Sequence, residues 1–105
     1  MSELSLVRRG ASGPKVQVLT GSPSGTSLVI NGVKITPTRI FAFAIGAASN
    51  GYIESLVHSD TLNYYTVHYA SFRGTPTITL SEETLTISNS SYSFGNNFQV
   101  TLIED

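Results

Sequence analysis

Apolar and polar residues alternate along this chain in short blocks, and clusters of Gly, Pro, Asn and Ser interrupt them at intervals of roughly 8–12 residues. No segment carries the 3.6-residue apolar period of an amphipathic helix. This spacing is typical of β-sandwiches and barrels. The pattern therefore predicts an all-β fold, an antiparallel β-sandwich of about eight to nine short strands in a jelly-roll or immunoglobulin-like arrangement.

The clusters of turn-forming residues set the bounds of the predicted strands. The predicted strands cover residues 4–9, 15–20, 27–30, 38–45, 52–58, 62–72, 77–80, 84–88 and 98–103. Asn31-Gly32 favours a hairpin with a short return strand over residues 33–35, or else a bulge before the next strand. The segment 38–45 is apolar at consecutive positions, which predicts a central strand that is covered at least in part on both faces.

Residues 52–58 and 62–72 are predicted to form a hairpin around the turn Ser59-Asp60-Thr61. In the register that a three-residue loop implies, the facing pairs are His58 and Leu62, Leu56 and Tyr64, Glu54 and Thr66, and Tyr52 and His68. A slip of one residue would reverse every face.

The hairpin also concentrates tyrosines, which are enriched in protein interfaces because the ring buries apolar area while the hydroxyl still finds a partner. One face carries Tyr65 and Tyr69 with Val67 and is expected to pack inside the fold. The other face predicts a candidate contact surface, which consists of Tyr52, Glu54, Tyr64 and His68.

The composition fits one domain over residues 1–105, with 40% hydrophobic residues and only 12% charged residues. Typical domains carry about 25% charged residues. The polar surface must therefore consist mainly of Ser, Thr, Asn and Gly, which suits a protein that packs against copies of itself or against a larger assembly. The alternative is simply a Thr- and Ser-rich β protein. The net charge of −1 shows no basic footprint for a nucleic-acid partner.

The chain has no cysteine, which excludes disulfides, thiolate metal sites and a cysteine nucleophile. Residues 1–4 do not resemble the start of a signal peptide. The longest apolar stretch, residues 40–48, is far shorter than the ~20 residues that span a bilayer. We therefore expect no membrane partner and synthesis in the cytoplasm.

The residues that could support catalysis are scattered along the chain. His58, His68 and Glu54 are the best metal-ligand set, but they lack the close spacing that preorganises imidazole ligands. The chain has no Gly-x-Ser-x-Gly motif for a serine nucleophile. The carboxylates fall mostly in a predicted turn and at the tail. We expect no enzymatic activity, no metal and no cofactor.

One combination of motifs resembles a known family. The first motif is Gly25-Thr26-Ser27-Leu28-Val29-Ile30, and the second is Ile35-Thr36-Pro37-Thr38-Arg39-Ile40-Phe41-Ala42-Phe43. After them come the tyrosine-rich hairpin, a strand over Thr84–Ser88, a Gly-Asn turn and a closing strand. Over residues 16–103 this order resembles small β-sandwich domains of bacteriophage and prophage tail proteins. Ile35-Thr36 stands where those domains usually have Gly-Phe, and the closing strand lacks their common Trp or Tyr.

The resemblance implies a non-enzymatic virion component, such as a tail-fibre, baseplate or neck accessory domain, made in the cytoplasm of a host bacterium. Its expected partners are copies of itself or other virion tail proteins. The alternative is a carbohydrate- or receptor-binding module that uses the tyrosine-rich hairpin face to bind a host-surface glycan. The absence of Trp counts against that alternative, because sugar sites commonly stack aromatic rings on pyranose faces.

Overall fold

The computed structural model describes residues 13–105, so the predicted strand at residues 4–9 lies outside the described part. Nine strands follow one another along this part of the chain: β1 Lys15–Ser24, β2 Ser27–Asn31, β3 Arg39–Ala44, β4 Ile53–His58, β5 Asn63–Val67, β6 Ala70–Arg73, β7 Thr77–Ser81, β8 Thr84–Ser88 and β9 Phe98–Glu104. No helix in residues 13–105 is long and apolar enough to cross a membrane.

All nine strands belong to one sheet with the order β6-β5-β4-β3-β9-β1-β2-β8-β7, and every neighbouring pair is antiparallel. The predicted all-β class and the predicted number of strands are confirmed. The finer expectation of a two-sheet sandwich is not, because the strands of the described chain hydrogen-bond into a single sheet.

The connection between β6 and β7 shows why this sheet must curl. These two strands are the opposite edges of the sheet, yet only residues 74–76 separate them in sequence. A flat sheet of nine strands would hold its edges roughly 38 Å apart, since neighbouring strands are about 4.8 Å apart. The connection from Arg73 to Thr77 spans at most about 14 Å. The sheet therefore bends into a half-barrel.

The inner face of the half-barrel holds the hydrophobic core. On β9, Phe98, Val100 and Leu102 are fully buried, while the residues between them are exposed or half-buried. This alternation follows from the two-residue period of a strand. The other buried apolar side chains are Leu28, Ile30, Val33, Ile40, Ala42, Ile53, Leu56, Tyr65, Val67, Leu85, Ile87 and Phe94.

The segment 89–97 crosses one end of the half-barrel and ties the turn between β1 and β2 to the start of β4. The backbone N–H of Phe94 donates to the carbonyl of Gly25, and the N–H of Ile53 donates to the carbonyl of Ser93. The ring of Phe94 meets Phe98 edge to face, with 5.3 Å between the ring centroids. This segment fills the space that the curl leaves open at that end.

The hairpin of β4 and β5 is present, but the predicted register is wrong by one residue next to the loop, where Leu56 faces Tyr65 and not Tyr64. The cause is the loop, because four residues, 59–62, and not three separate the facing residues His58 and Asn63. A β-bulge between Ile53 and Ser55 then adds one residue to β4, and this restores the predicted register where Ile53 faces Val67.

Two other expectations about local structure are also corrected. Asn31-Gly32 does not turn into a return strand. Gly32 has φ +83°, and the chain then leaves the sheet while the N–H of Val33 donates to the carbonyl of Glu83. The predicted strand 62–72 divides into β5 and β6 at a two-residue turn, His68-Tyr69, between the paired residues Val67 and Ala70.

Candidate functional site

The outer face of the sheet carries apolar side chains that nothing in residues 13–105 covers. Val16 and Val18 on β1 are each 56% exposed, and Phe43 on β3 is 53% exposed. β3 is expected to be covered at least in part on both faces; its inner side chains Ile40 and Ala42 are buried, and on the outer face Phe41 is half-buried while Phe43 is exposed. We call this surface the outer patch, and it consists of Val16, Val18, Phe41, Phe43, Val57 and Ile103.

The strand registers bring these side chains into continuous rows. In one row Val18 faces Thr101, Thr101 faces Phe41, and Phe41 faces Val57. In the next row Val16 faces Ile103, which faces Arg39. Directly opposed side chains lie about 5 Å apart. The outer patch is therefore one contiguous surface across four neighbouring strands, β1, β9, β3 and β4.

Charge is confined to the margin of the outer patch. The guanidinium of Arg39 donates from Nε and Nη2 to the two carboxylate oxygens of Asp105, over 2.9 and 2.8 Å. The hydrogen bond from Arg39, with a second from Thr38, lowers the pKa of the Asp105 carboxyl from its ordinary value. This paired group adds no uncompensated charge to the apolar rows.

Three of the four residues of the predicted contact surface cluster near one end of the β4–β5 hairpin. Nδ1 of His68 lies 3.2 Å from Oε1 of Glu54, and the N–H of His68 donates to the carbonyl of Tyr52. The ring of Tyr52 packs against Gly95 in the segment 89–97. Tyr52 is 41% exposed, so it both closes the end of the half-barrel and faces solvent.

Tyr64, the fourth predicted residue, lies further along the outer face. It faces Val57 on one side and Arg73 on the other, and the guanidinium carbon of Arg73 is 6.0 Å from the centroid of its ring. The two-residue period of β5 places Tyr64 on the side opposite the buried Tyr65 and Val67, and His68 follows in the turn directly after this strand. The contact surface proposed from the sequence is therefore continuous with the outer patch.

Tyr69 is the functional candidate that the sequence reasoning missed. It was expected to pack inside with Tyr65 and Val67, but it occupies the turn between β5 and β6 and is 86% exposed. Its φ of 75° is in the left-handed region, which costs free energy for a bulky side chain. Its ring lies against His68, with 3.9 Å between centroids. A strained and exposed tyrosine is typical of a contact residue.

No group of three or more His, Asp or Glu side chains within residues 13–105 is placed to hold a metal ion. His58 is at the far end of β4 from Glu54, where its ring hydrogen-bonds to Asn63. The His/His/Glu set therefore does not come together, and Glu54 and His68 remain as a polar pair on the outer face.

A scan against protein-family models and searches of curated proteins and of solved structures found no significant match to this chain. The surfaces described above are therefore interpreted from their own geometry.

Proposed function

We propose that this chain is a non-enzymatic structural protein of a bacteriophage or prophage tail that assembles through its outer patch with a second copy of itself. The observation that carries the proposal is the row of exposed apolar side chains across β1, β9, β3 and β4. The largest contiguous apolar patch on a typical monomer covers about 300–600 Å² and often serves a function, and larger patches mark interaction surfaces.

The size of the outer face supports a homomeric interface. The four strands of the outer patch are separated by three inter-strand steps of about 4.8 Å, and β9 is about 20 Å long, which gives a projected area on the order of 300 Å². With the adjoining strands β5 and β6 the outer face reaches a projected area on the order of 500 Å². Stable interfaces begin near 600 Å² per partner. The corrugated side chains add to the projected area, so the face is large enough for one weak to moderate contact.

The lack of charge favours a second copy over a charged partner. Two identical faces can stack only when they do not place like charges opposite one another. Here Arg39 is neutralised by Asp105, and the rest of the outer patch carries no charged residue. A partner that bound through charge complementarity would require a charged surface that this patch does not offer.

Such a contact would also supply the sandwich that the sequence pattern favours. Two sheets that stack face to face are about 10 Å apart and share the interdigitated side chains of their facing surfaces. In this proposal the second layer of the sandwich is the outer face of another copy.

Two observations test the virion assignment. The gene is expected to lie beside genes for tail proteins or lysins, and the protein is expected in purified tail particles by mass spectrometry. A gene set within an unrelated metabolic operon, together with absence of the protein from tail particles, would overturn the assignment to a virion.

A second candidate function is receptor or glycan binding through the turn of the β5–β6 hairpin, and the strained, exposed Tyr69 favours it. A glycan array and a cell-binding assay with the wild type and Tyr69→Ser test this function. Loss of binding in Tyr69→Ser, with binding retained in a Thr79→Ser control on the exposed strand β7, is the expected result. An array on which the wild type binds no glycan, with no cell binding, excludes it.

A further inference from the structure

A groove lies where the two edges of the curled sheet approach one another. The end of β6, the connection 74–76 and the segment 89–92 line a depression of about 300 Å³. A second depression of about 360 Å³ adjoins it and shares Arg73, Gly74 and Thr75. The first volume is at the lower end of the range for small-molecule sites, about 300–1,000 Å³, which suits one sugar residue.

The groove presents an aromatic wall. Phe72 on β6 and Tyr92 in the segment 89–92 stack at a tilt, with 4.4 Å between ring centroids, and both are half-buried. Asn89 fixes this wall, because its side-chain oxygen accepts from the N–H of Tyr92 over 2.7 Å and its amide donates to the carbonyl of the same residue over 2.8 Å. An aromatic surface held this way is pre-organised for an apolar ligand face.

The polar side chains that line the groove include an arginine and several hydroxyl groups, which can donate hydrogen bonds to a ligand. Arg73 is common to both depressions, and the hydroxyls of Ser90, Ser91 and Thr75 lie along the same walls. No Asp or Glu lines either depression among residues 13–105. The guanidinium of Arg73 lies against the ring of Tyr64, 6.0 Å from its centroid, and no carboxylate of residues 13–105 lines the groove beside it. It therefore suits a ligand that brings its own negative charge, since arginine binds carboxylates through paired donors.

Tyr65 gives an independent indication that the groove accepts a polar ligand. It lines the groove, is 5% exposed, and its hydroxyl has no hydrogen-bond partner among the described residues. Gly74 lies beside its ring, and a Cβ built on Gly74 would be 3.7 Å from Cε2 of Tyr65. A buried hydroxyl without a partner is costly, so such groups occur where a ligand or water completes the bond.

We infer that this groove binds a sugar that bears a carboxylate, with Arg73 on the carboxylate, the Tyr92–Phe72 wall against the sugar ring, and Tyr65 and the serine hydroxyls on its hydroxyl groups. A neutral sugar would leave Arg73 without its partner. The groove lies at the edge of the sheet and does not depend on self-association through the outer patch.

The test is a titration of the full chain, monitored by NMR, with glucuronate and with glucose. These two sugars differ only at C6, where glucuronate has a carboxylate and glucose has a hydroxymethyl group. Glucuronate is expected to bind with a Kd on the order of 1 mM, the range for a ligand of this size, and to shift the ring signals of Phe72 and Tyr92. Glucose is expected to bind at least tenfold more weakly. Acetate and inorganic phosphate at the same concentrations should leave the aromatic signals unchanged.

Two substitutions locate the site. Arg73→Gln should reduce the affinity for glucuronate at least tenfold, whereas Arg39→Gln, which removes an arginine at the margin of the outer patch, should leave it unchanged. Tyr65→Phe should weaken binding without loss of folded structure. Equal binding of glucose and glucuronate, unchanged affinity in Arg73→Gln, or no glucuronate binding up to tens of millimolar would each overturn the inference.

Discussion

The ring of Tyr52 occupies the space that a side chain on Gly95 would need: a Cβ built at Gly95 would lie 1.9 Å from Cδ2 of Tyr52. Non-bonded carbon atoms do not approach one another that closely, so any larger residue at position 95 must displace the ring. The contact joins the start of β4 to the segment 89–97, next to the backbone bridge between Tyr52 and Ser93. The pair therefore fixes the closed end of the half-barrel.

Gly95→Ala is expected to destabilise the fold by about 1–3 kcal/mol, the usual cost of forcing extra volume into a packed site. Urea unfolding measures the change. Gly13→Ala is the matched control, since a Cβ there meets nothing within 4 Å among residues 13–105. In the double variant Gly95→Ala, Tyr52→Ala the two effects should be less than additive, because the clash is gone. Full additivity would contradict this contact.

The turn at Tyr69 gives a second prediction. Because its φ of 75° strains a bulky residue but not glycine, Tyr69→Gly should raise the free energy of unfolding by about 1 kcal/mol. The exposed ring contributes little packing, so its removal should not offset the gain. Thermal unfolding checks the sign, with Tyr64→Gly as a control in the adjoining strand that should lose stability. A destabilised Tyr69→Gly variant would show that the ring is held by contacts that outweigh the strain.

Tyr65 predicts a distinctive response to alkaline pH. Burial raises the pKa of its phenol from 10 to about 12, so the unfolded chain releases this proton at a lower pH than the folded chain does. The free energy of unfolding should therefore fall as the pH rises from about 10 to about 12, by at most about 3 kcal/mol, and this group should contribute no pH dependence below that window.

Tyr65→Phe should remove that alkaline slope and raise stability at pH 7 by about 1 kcal/mol, because the buried hydroxyl without a partner is gone. Urea unfolding at several pH values measures both effects. Tyr69→Phe, which removes an exposed hydroxyl, is the control and should keep the alkaline slope. A Tyr65→Phe variant with the same alkaline slope as the wild type would contradict the assignment.

The sequence pattern was sufficient for strands whose side chains alternate cleanly. The β7–β8 hairpin and β9 occur close to their predicted bounds, since Phe98, Val100 and Leu102 must share one face. The register of β4 and β5 could not be predicted in the same way. The alternation does not distinguish a loop of three residues from one of four, and it gives no sign of the bulge at Glu54, which lies where the start of β4 also meets the distant residue Ser93.

The order of the strands in the sheet depends on contacts between distant parts of the chain, and the alternation of apolar and polar residues does not predict these contacts. A sandwich and a curled single sheet share the same alternation, and the difference here comes from a three-residue connection between the two edge strands. For the candidate site, the pattern indicated that Tyr64 and His68 share a face. It could not reveal the outer patch, because Val18, Phe41 and Val57 meet only through the pairing of distant strands.

Association of two copies through the outer patch can be measured by sedimentation equilibrium over a range of concentrations. The proteins compared are the wild type, Phe43→Lys in the outer patch, and Thr79→Lys on the exposed edge strand β7 as the matched control. We expect a mass of twice 11.2 kDa or more for the wild type and for Thr79→Lys, and a monomer for a folded Phe43→Lys. A wild type that stays monomeric at every concentration, or a Phe43→Lys variant that associates as the wild type does, would contradict this association.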